Sequence, residues 1–318
     1  MSTTAESALD DIADGVAPDA PDGSGKSPGM DKGAAYYIPH AATWPIVGSI
    51  ALFVLFFGFA NWLNQASFGF EIFIVGVVML VVTMVGWFGI VIRESESGTY
   101  SGQVDFSFRL CMMWFIFSEV MFFAAFFGAL FYARQFSGPW LGGEGGGGAD
   151  MTNAILYPSY DYVWPTDGPA KIGGDFQQMG WFGLPLINTL ILLTSGVTVT
   201  LAHHAIRHAD RQKFVLWLLA TVALGFLFVG LQAYEYAHAY GELNLKLSSG
   251  IYGSTFFMLT GFHGFHVTMG AIILLVVMIR AMRSHFSENN HFAFEAAAWY
   301  WHFVDVVWLG LFIFVYLL

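Results

Sequence analysis

Cysteine is nearly absent from this chain. The single Cys111 excludes a disulfide framework, a CxxCH haem attachment and any multi-cysteine metal site. It lies in an apolar run and reads as a small buried hydrophobe. Charge is scarce as well: 11% of the 318 residues are charged, against about 25% in a soluble domain, which is too few to coat a water-facing surface. The last apolar stretch contains no lysine, so a retinal Schiff base there is excluded. No internal repeat and no pair of broken apolar segments is visible, which argues against a free-standing secondary transporter. The N-terminus lacks a basic segment followed by an apolar one, so no secretory signal is expected. It is neither Arg-rich nor poor in acids, so no mitochondrial transit peptide is expected and the expected location is a bacterial inner membrane.

What the chain has in abundance is apolar surface. Hydrophobic residues make up 56% of it, with 33 Phe and 11 Trp, a composition suited to lipid contact with aromatic residues at the interfaces. The net charge of -11 is unevenly spread: seven of the 23 acids lie in the first 31 residues (Glu6, Asp10, Asp11, Asp14, Asp19, Asp22 and Asp31). With its Ala, Gly, Ser and Pro, the segment 1–38 reads as a solvated, disordered tail on the cytoplasmic side.

Seven apolar stretches are long enough to cross about 30 Å of hydrocarbon. They run from Trp44 to Trp62, Phe70 to Ile92, Phe106 to Tyr132, Leu184 to His204, Phe214 to Tyr236, Ile251 to Arg280 and Glu295 to Leu318. The fold class is therefore all-α and polytopic. Placing the N-terminus inside puts nine basic residues there (Lys26, Lys32, Arg93, Arg109, Arg207, Arg211, Lys213, Arg280, Arg283) and three outside (Arg134, Lys171, Lys246), the positive-inside bias of a membrane protein. The C-terminus then falls on the periplasmic side. The loop 133–183 holds the run Gly142–Gly143–Glu144–Gly145–Gly146–Gly147–Gly148. No Gly-Lys-Ser/Thr follows it and no strand precedes it, so it is no phosphate loop, and it reads as a flexible periplasmic linker.

Ionisable groups at bilayer depth cost roughly 2.5 to 3.5 kcal/mol each on insertion scales, so each asks for a reason. Glu119 sits mid-way along the third stretch with no basic neighbour in sequence. Two readings fit it: proton handling, or a carboxyl group that hydrogen-bonds across helices. Glu235 and Asp305 are the other deep acids; Asp305 follows His302 by three residues and can share a helix face with it. An intramembrane polar packing network accommodates these groups together with His203, His204, His263 and His266. Adjacent His203 and His204 point about 100° apart on a helix. His263 and His266 are three apart, but no third ligand stands at an obvious spacing. Metal or haem ligation by this chain is not expected, and no catalytic residue is identified. Arg93, Arg280, Arg283 and His285 gather near the cytoplasmic boundary, where they serve either topology or anionic phospholipid head groups.

The stretch Phe294-Glu295-Ala296-Ala297-Ala298-Trp299-Tyr300-Trp301-His302-Phe303-Val304-Asp305-Val306-Val307-Trp308 resembles the final helix of subunit III of haem-copper cytochrome c oxidases. Tyr252-Gly253-Ser254-Thr255-Phe256-Phe257 and Thr260-Gly261-Phe262-His263-Gly264-Phe265-His266-Val267 agree with that family's sixth helix. Leu186-Ile187-Asn188-Thr189, Ser195-Gly196-Val197 and Ala202-His203-His204 agree with its fourth, Gln232-Ala233-Tyr234-Glu235-Tyr236 with its fifth, Ser118-Glu119-Val120 with its third and Val91-Ile92-Arg93-Glu94 with its second. The resemblance spans about residues 40–318. It implies a two-helix bundle (39–95) and a five-helix bundle (103–318) with a lipid-filled cleft. It also implies that Glu119 is the carbodiimide-reactive carboxylate linked to proton uptake, that Arg93 and Glu94 contact lipid head groups, and that Arg280, Arg283 and His285 form a basic cluster for cardiolipin. By the same resemblance the chain carries no redox centre. Haem and copper belong to partner subunits I and II, subunit I being the chief contact, bound phospholipids complete the set, and no nucleic acid is involved. Two departures stand out: Gly102-Gln103-Val104 replaces a Gly-His-His before helix three, and the Gly-rich loop is long. A quinol oxidase subunit III is the related alternative, although such subunits commonly have five helices.

Overall fold

The computed structural model describes residues 43–288 and 290–318, and the acidic tail at 1–38 lies outside them. Among the described residues, seven helices are long and apolar enough to cross a membrane. We label the helices α1 (Trp44–Leu63), α2 (Gly69–Glu96), α3 (Gly102–Leu141), α4 (Ala149–Leu156), α5 (Leu184–Arg207), α6 (Arg211–Gly241), α7 (Gly250–Met282) and α8 (Phe292–Leu317). All but the short α4 are spans. Their apolar residues run all round rather than along one stripe, as expected of helices without a water-facing side. The chain divides into a unit ending at Val104 and a second unit of residues 105–318.

The first unit is the pair α1 and α2. Pro45 occupies the opening turn of α1, where its missing N–H costs nothing. The two helices meet through glycine. A Cβ on Gly58 would overlap the Phe73 backbone, one on Gly69 the Trp62 backbone, and one on Gly76 the Leu55 backbone. Such contact suits a membrane, where helices associate by close packing rather than by excluding water. Outside that seam the pair is clothed in exposed Phe53, Phe56, Val81 and Val85.

In the second unit α8 is the most buried span, with half of its apolar stretch inside, and α3 the least. α8 places Trp301 and Trp308 seven residues apart, both fully inside the core. Each indole N–H donates to a hydroxyl of antiparallel α5, Trp301 to Ser195 at 2.9 Å and Trp308 to Thr189 at 2.9 Å. Those hydroxyls donate in turn to carbonyls of their own helix, Ser195 to Leu192 and Thr189 to Pro185. Every polar atom in this ladder therefore has a partner, as burial in a dry interior requires. α3 approaches its neighbours through large rings, Phe115 on Tyr300, Phe122 on Phe262 and Phe127 on Phe314. Cys111, expected inside, is exposed on α3. An all-round apolar helix gives no periodicity from which its inner face could be read.

Residues 133–183 differ from the expected linker. α3 continues through a π-helical turn at Ala133–Ser137 to Leu141, and α4 follows the glycine run. The Asn153 amide donates to the carbonyls of Leu141, Tyr157 and Tyr160, and the Tyr162 hydroxyl donates to the Arg134 carbonyl at 2.6 Å. Burial, with Tyr160 nearby, pushes the Tyr162 hydroxyl above its ordinary pKa. The segment is tied to the α6–α7 turn by Gln177 N–H to the Leu243 carbonyl and by Tyr252 N–H to the Thr166 carbonyl. Glycine content alone hid these anchors, because they are set by Asn153, Tyr160 and Thr166.

Candidate functional site

Glu119 lies near the middle of α3, and its partner comes from the middle of α7. The carboxyl Oε2 is 2.9 Å from His266 Nε2. His266 Nδ1 stands 2.6 Å from the Phe262 carbonyl. A carbonyl only accepts, so Nδ1 carries a proton. Nε2 then either accepts from a protonated Glu119 or, as the second N–H of an imidazolium, donates to a carboxylate. In both arrangements one proton lies between the two residues. Phe122, Phe123, Phe303 and Tyr300 ring the imidazole, while Glu119 keeps 22% of its side chain exposed. The pair is thus closed on the core side and open on the outer face of α3.

His263 takes the other direction. It is fully buried, its ring 5.1 Å from that of Trp308 and 5.8 Å from that of Phe228, and neither ring nitrogen has a hydrogen-bond partner among the described residues. His263 and His266 therefore face different surroundings. The deep acids are also separate. Glu235 accepts from the Tyr316 hydroxyl at 2.7 Å inside the core. Asp305 lies 3.5 Å from His302 beside Gly196. This last pair lines an open cavity of about 360 Å³ between α5 and α8, together with Thr200 and apolar residues that include Leu193, Val197, Val306 and Leu309.

At the ends of α5 and α8 the adjacent histidines diverge as their helical spacing predicts. His204 meets His208, Nε2 to Nε2 3.2 Å, whereas His203 faces Glu295 at 3.7 Å. Glu295 also takes Arg109 of α3, which Asp105 steadies at 2.8 Å. Asp210 opens α6 by accepting from the Lys213 N–H, and its ion pair with the Lys213 ammonium holds its carboxyl below the usual range.

The basic residues occupy both units. In the first, Arg93 is exposed near the end of α2, and Glu94 accepts from the Tyr100 hydroxyl at 2.8 Å. In the second, Arg280, Arg283 and His285 share the turn that closes α7: Arg280 stacks its guanidinium 4.7 Å from the Phe286 ring, and the Arg283 and His285 N–H groups donate to its carbonyl. Arg211, read from sequence only as a topology charge, donates to the Ala281 and Met282 carbonyls and caps α7. The pairing of Glu119 with His266 also escaped sequence reading. Its signal was depth, since each is an ionisable residue near the centre of its span, and only groups at one depth can meet.

The family profile described as Cytochrome c oxidase subunit III matches residues 34–144 and 161–318. The break falls on the glycine run and α4. Cytochrome c oxidase subunit 3 of Danio rerio is 38% identical over 283 residues, covering 89% of this chain and 96% of the relative. The Xenopus laevis protein of that name is 40% identical over 285 residues, with the same coverage of both, and that of Branchiostoma floridae 40% over 284 residues, 88% and 95%. These relatives are animal proteins, which leans against the bacterial membrane expected above. With seven spans, a buried α8 bearing the Trp-Tyr-Trp-His segment, and a family match over both units, the chain belongs to the cytochrome c oxidase subunit III family.

Proposed function

We propose that the chain is an accessory core subunit of a respiratory cytochrome c oxidase, held against subunits I and II, that carries no redox centre and sustains proton entry into subunit I through repeated turnover. The hydrogen bond between Glu119 and His266 supports this reading most directly. A proton shared between a carboxyl and an imidazole, open on the α3 side and sealed by rings behind, can be taken up or released without moving either helix. The basic turn at Arg280, Arg283 and His285 supports the binding of anionic phospholipid head groups, because three cationic or protonatable groups gather there at the negative end of the α7 dipole. Arg93 and Glu94 are proposed as further head-group contacts. Haem and copper are assigned to the partner subunits. The distribution of basic residues supports an N-terminus on the inner side.

The test is Glu119→Gln in the purified, assembled complex. Glutamine keeps the size and can still donate to His266 Nε2, but it cannot exchange the proton. The initial rate of oxygen consumption is expected to stay close to wild type, with a lower proton yield or a lifetime shortened several-fold under sustained turnover. A variant equal to wild type in both proton yield and turnover lifetime would overturn the role assigned to Glu119.

A further inference from the structure

At the start of α8 three side chains converge that no reading of a single helix would group. His203 comes from the end of α5, His291 stands just before α8, and Glu295 lies one turn inside it. One nitrogen of each histidine and one oxygen of Glu295 all lie within 4.8 Å of one another. Glu295 Oε1 is 3.1 Å from His291 Nε2 and 3.7 Å from His203 Nε2. Ligands bound tetrahedrally at about 2.0 to 2.1 Å stand about 3.3 Å apart. The two spacings to Glu295 bracket that value, and the third, between the histidines, is within 4.8 Å, so side-chain movements of roughly 1 to 2 Å close the set on one ion.

The surroundings prepare these atoms. His291 Nδ1 lies 3.0 Å from the Ser287 carbonyl. That carbonyl keeps a proton on Nδ1, so Nε2 is the nitrogen that faces Glu295 and that offers its lone pair to a metal once any proton shared with the carboxylate is displaced. Such an outer hydrogen bond is the usual support of a metal-bound imidazole. The other oxygen of Glu295 is engaged by Arg109, so Oε1 alone is offered inward. Asp105 balances the Arg109 charge, which leaves the group of Asp105, Arg109 and Glu295 with one net negative charge. The carboxylate and His291 are mostly covered, with 15% and 10% of their side chains exposed, while His203 is about one-third exposed. The site is therefore walled on the α8 side and open past His203.

We propose that His203, His291 and Glu295 form a binding site for a divalent ion of the zinc class, with the fourth position left to water. Two imidazoles and a carboxylate suit zinc, whereas calcium and magnesium prefer all-oxygen sets. Bound zinc would tie α5 to the first turn of α8 and, through Arg109, to α3. The sequence-based expectation of no metal was argued within single helices. Here the third ligand is supplied from another helix, 88 or 92 residues along the chain from His203.

The experiment uses the assembled complex after chelator treatment, titrated with Zn²⁺ by calorimetry beside the His203→Gln and His291→Gln variants. Wild type is expected to bind one equivalent that either variant binds at least about 100-fold more weakly, since loss of an outer-shell partner alone costs about 10- to 100-fold. X-ray absorption at that first equivalent is expected to show two imidazoles and a carboxylate oxygen at about 2.0 to 2.1 Å. Titrations that superimpose for wild type and an assembled variant would refute the site. So would a zinc shell without two imidazoles in wild type, a result that needs no variant to fold. The readout is bound metal rather than turnover, so it is independent of the role proposed for Glu119.

Discussion

At the residue scale the interior separates polar groups that have partners from those without one among the described residues, and the two kinds should respond differently to substitution. Trp308 donates its indole N–H to Thr189 from a fully buried position. Trp308→Phe removes that donor, leaves a Thr189 lone pair unsatisfied and shrinks a side chain packed on Phe228 and His263; a loss of about 1 to 3 kcal/mol is expected. His263 is equally buried but without a partner for either nitrogen among the described residues. His263→Leu removes an unpaired polar ring from the same neighbourhood, so stability within about 1 kcal/mol of wild type is expected. Thermal unfolding of the two variants in one detergent decides the matter, and equal destabilisation would show that His263 has a partner in the assembled protein. Little of this contrast was legible in the sequence. The types and depths of Glu119, His263 and His266 were, and depth set both histidines near the level of Glu119 without choosing between them. Which of two histidines three residues apart faces the core depends on the rotation of α7, and a helix apolar on every side does not disclose that.

At the scale of elements, hydropathy placed all seven spans, because backbone groups in hydrocarbon must be satisfied within one helix and the apolar run length therefore follows bilayer thickness. It did not place the continuation of α3 to Leu141 or the helix α4, which depend on specific amide and hydroxyl contacts around Asn153 and Tyr162. Nor did it show how α1 and α2 meet. Their seam rests on Gly58, Gly69 and Gly76 lying against the backbone of the facing helix. A side chain at Gly76 has no space to occupy short of pushing the helices apart, and in lipid no water-exclusion term restores the contact. Gly76→Val should accordingly cost about 1 to 3 kcal/mol of helix–helix association, whereas Gly89→Val, where a Cβ meets nothing, should be silent. Cysteine pairs engineered across the α1–α2 seam, scored by cross-linking yield in membranes, would register the difference. Equal yields for the two variants would mean that the glycine seam is not what holds the pair.

At the scale of the whole molecule the distribution of charge makes the sharpest claim. The sequence puts nine of the 12 basic residues on one side of the membrane and three on the other, and the fold sets one lysine of each group around opposite ends of α6: Lys213 in its first turn and Lys246 in the α6–α7 turn. Since α6 spans the 31 residues from Arg211 to Gly241, about 46 Å at 1.5 Å per residue, these two lysines must emerge on opposite faces. The positive-inside bias predicts Lys213 on the inner face and Lys246 on the outer. Cys111, the one native thiol, can be replaced by serine, and single cysteines installed by Lys213→Cys and Lys246→Cys; both positions are exposed. A membrane-impermeant maleimide added to sealed, right-side-out vesicles is expected to label the second and to reach the first only after permeabilisation. Labelling with the opposite preference would invert the orientation. It would also move the Arg280 turn and the His203–His291–Glu295 site to the outer face, since α5 and α7 end, and α8 begins, on the same side as the Lys213 turn.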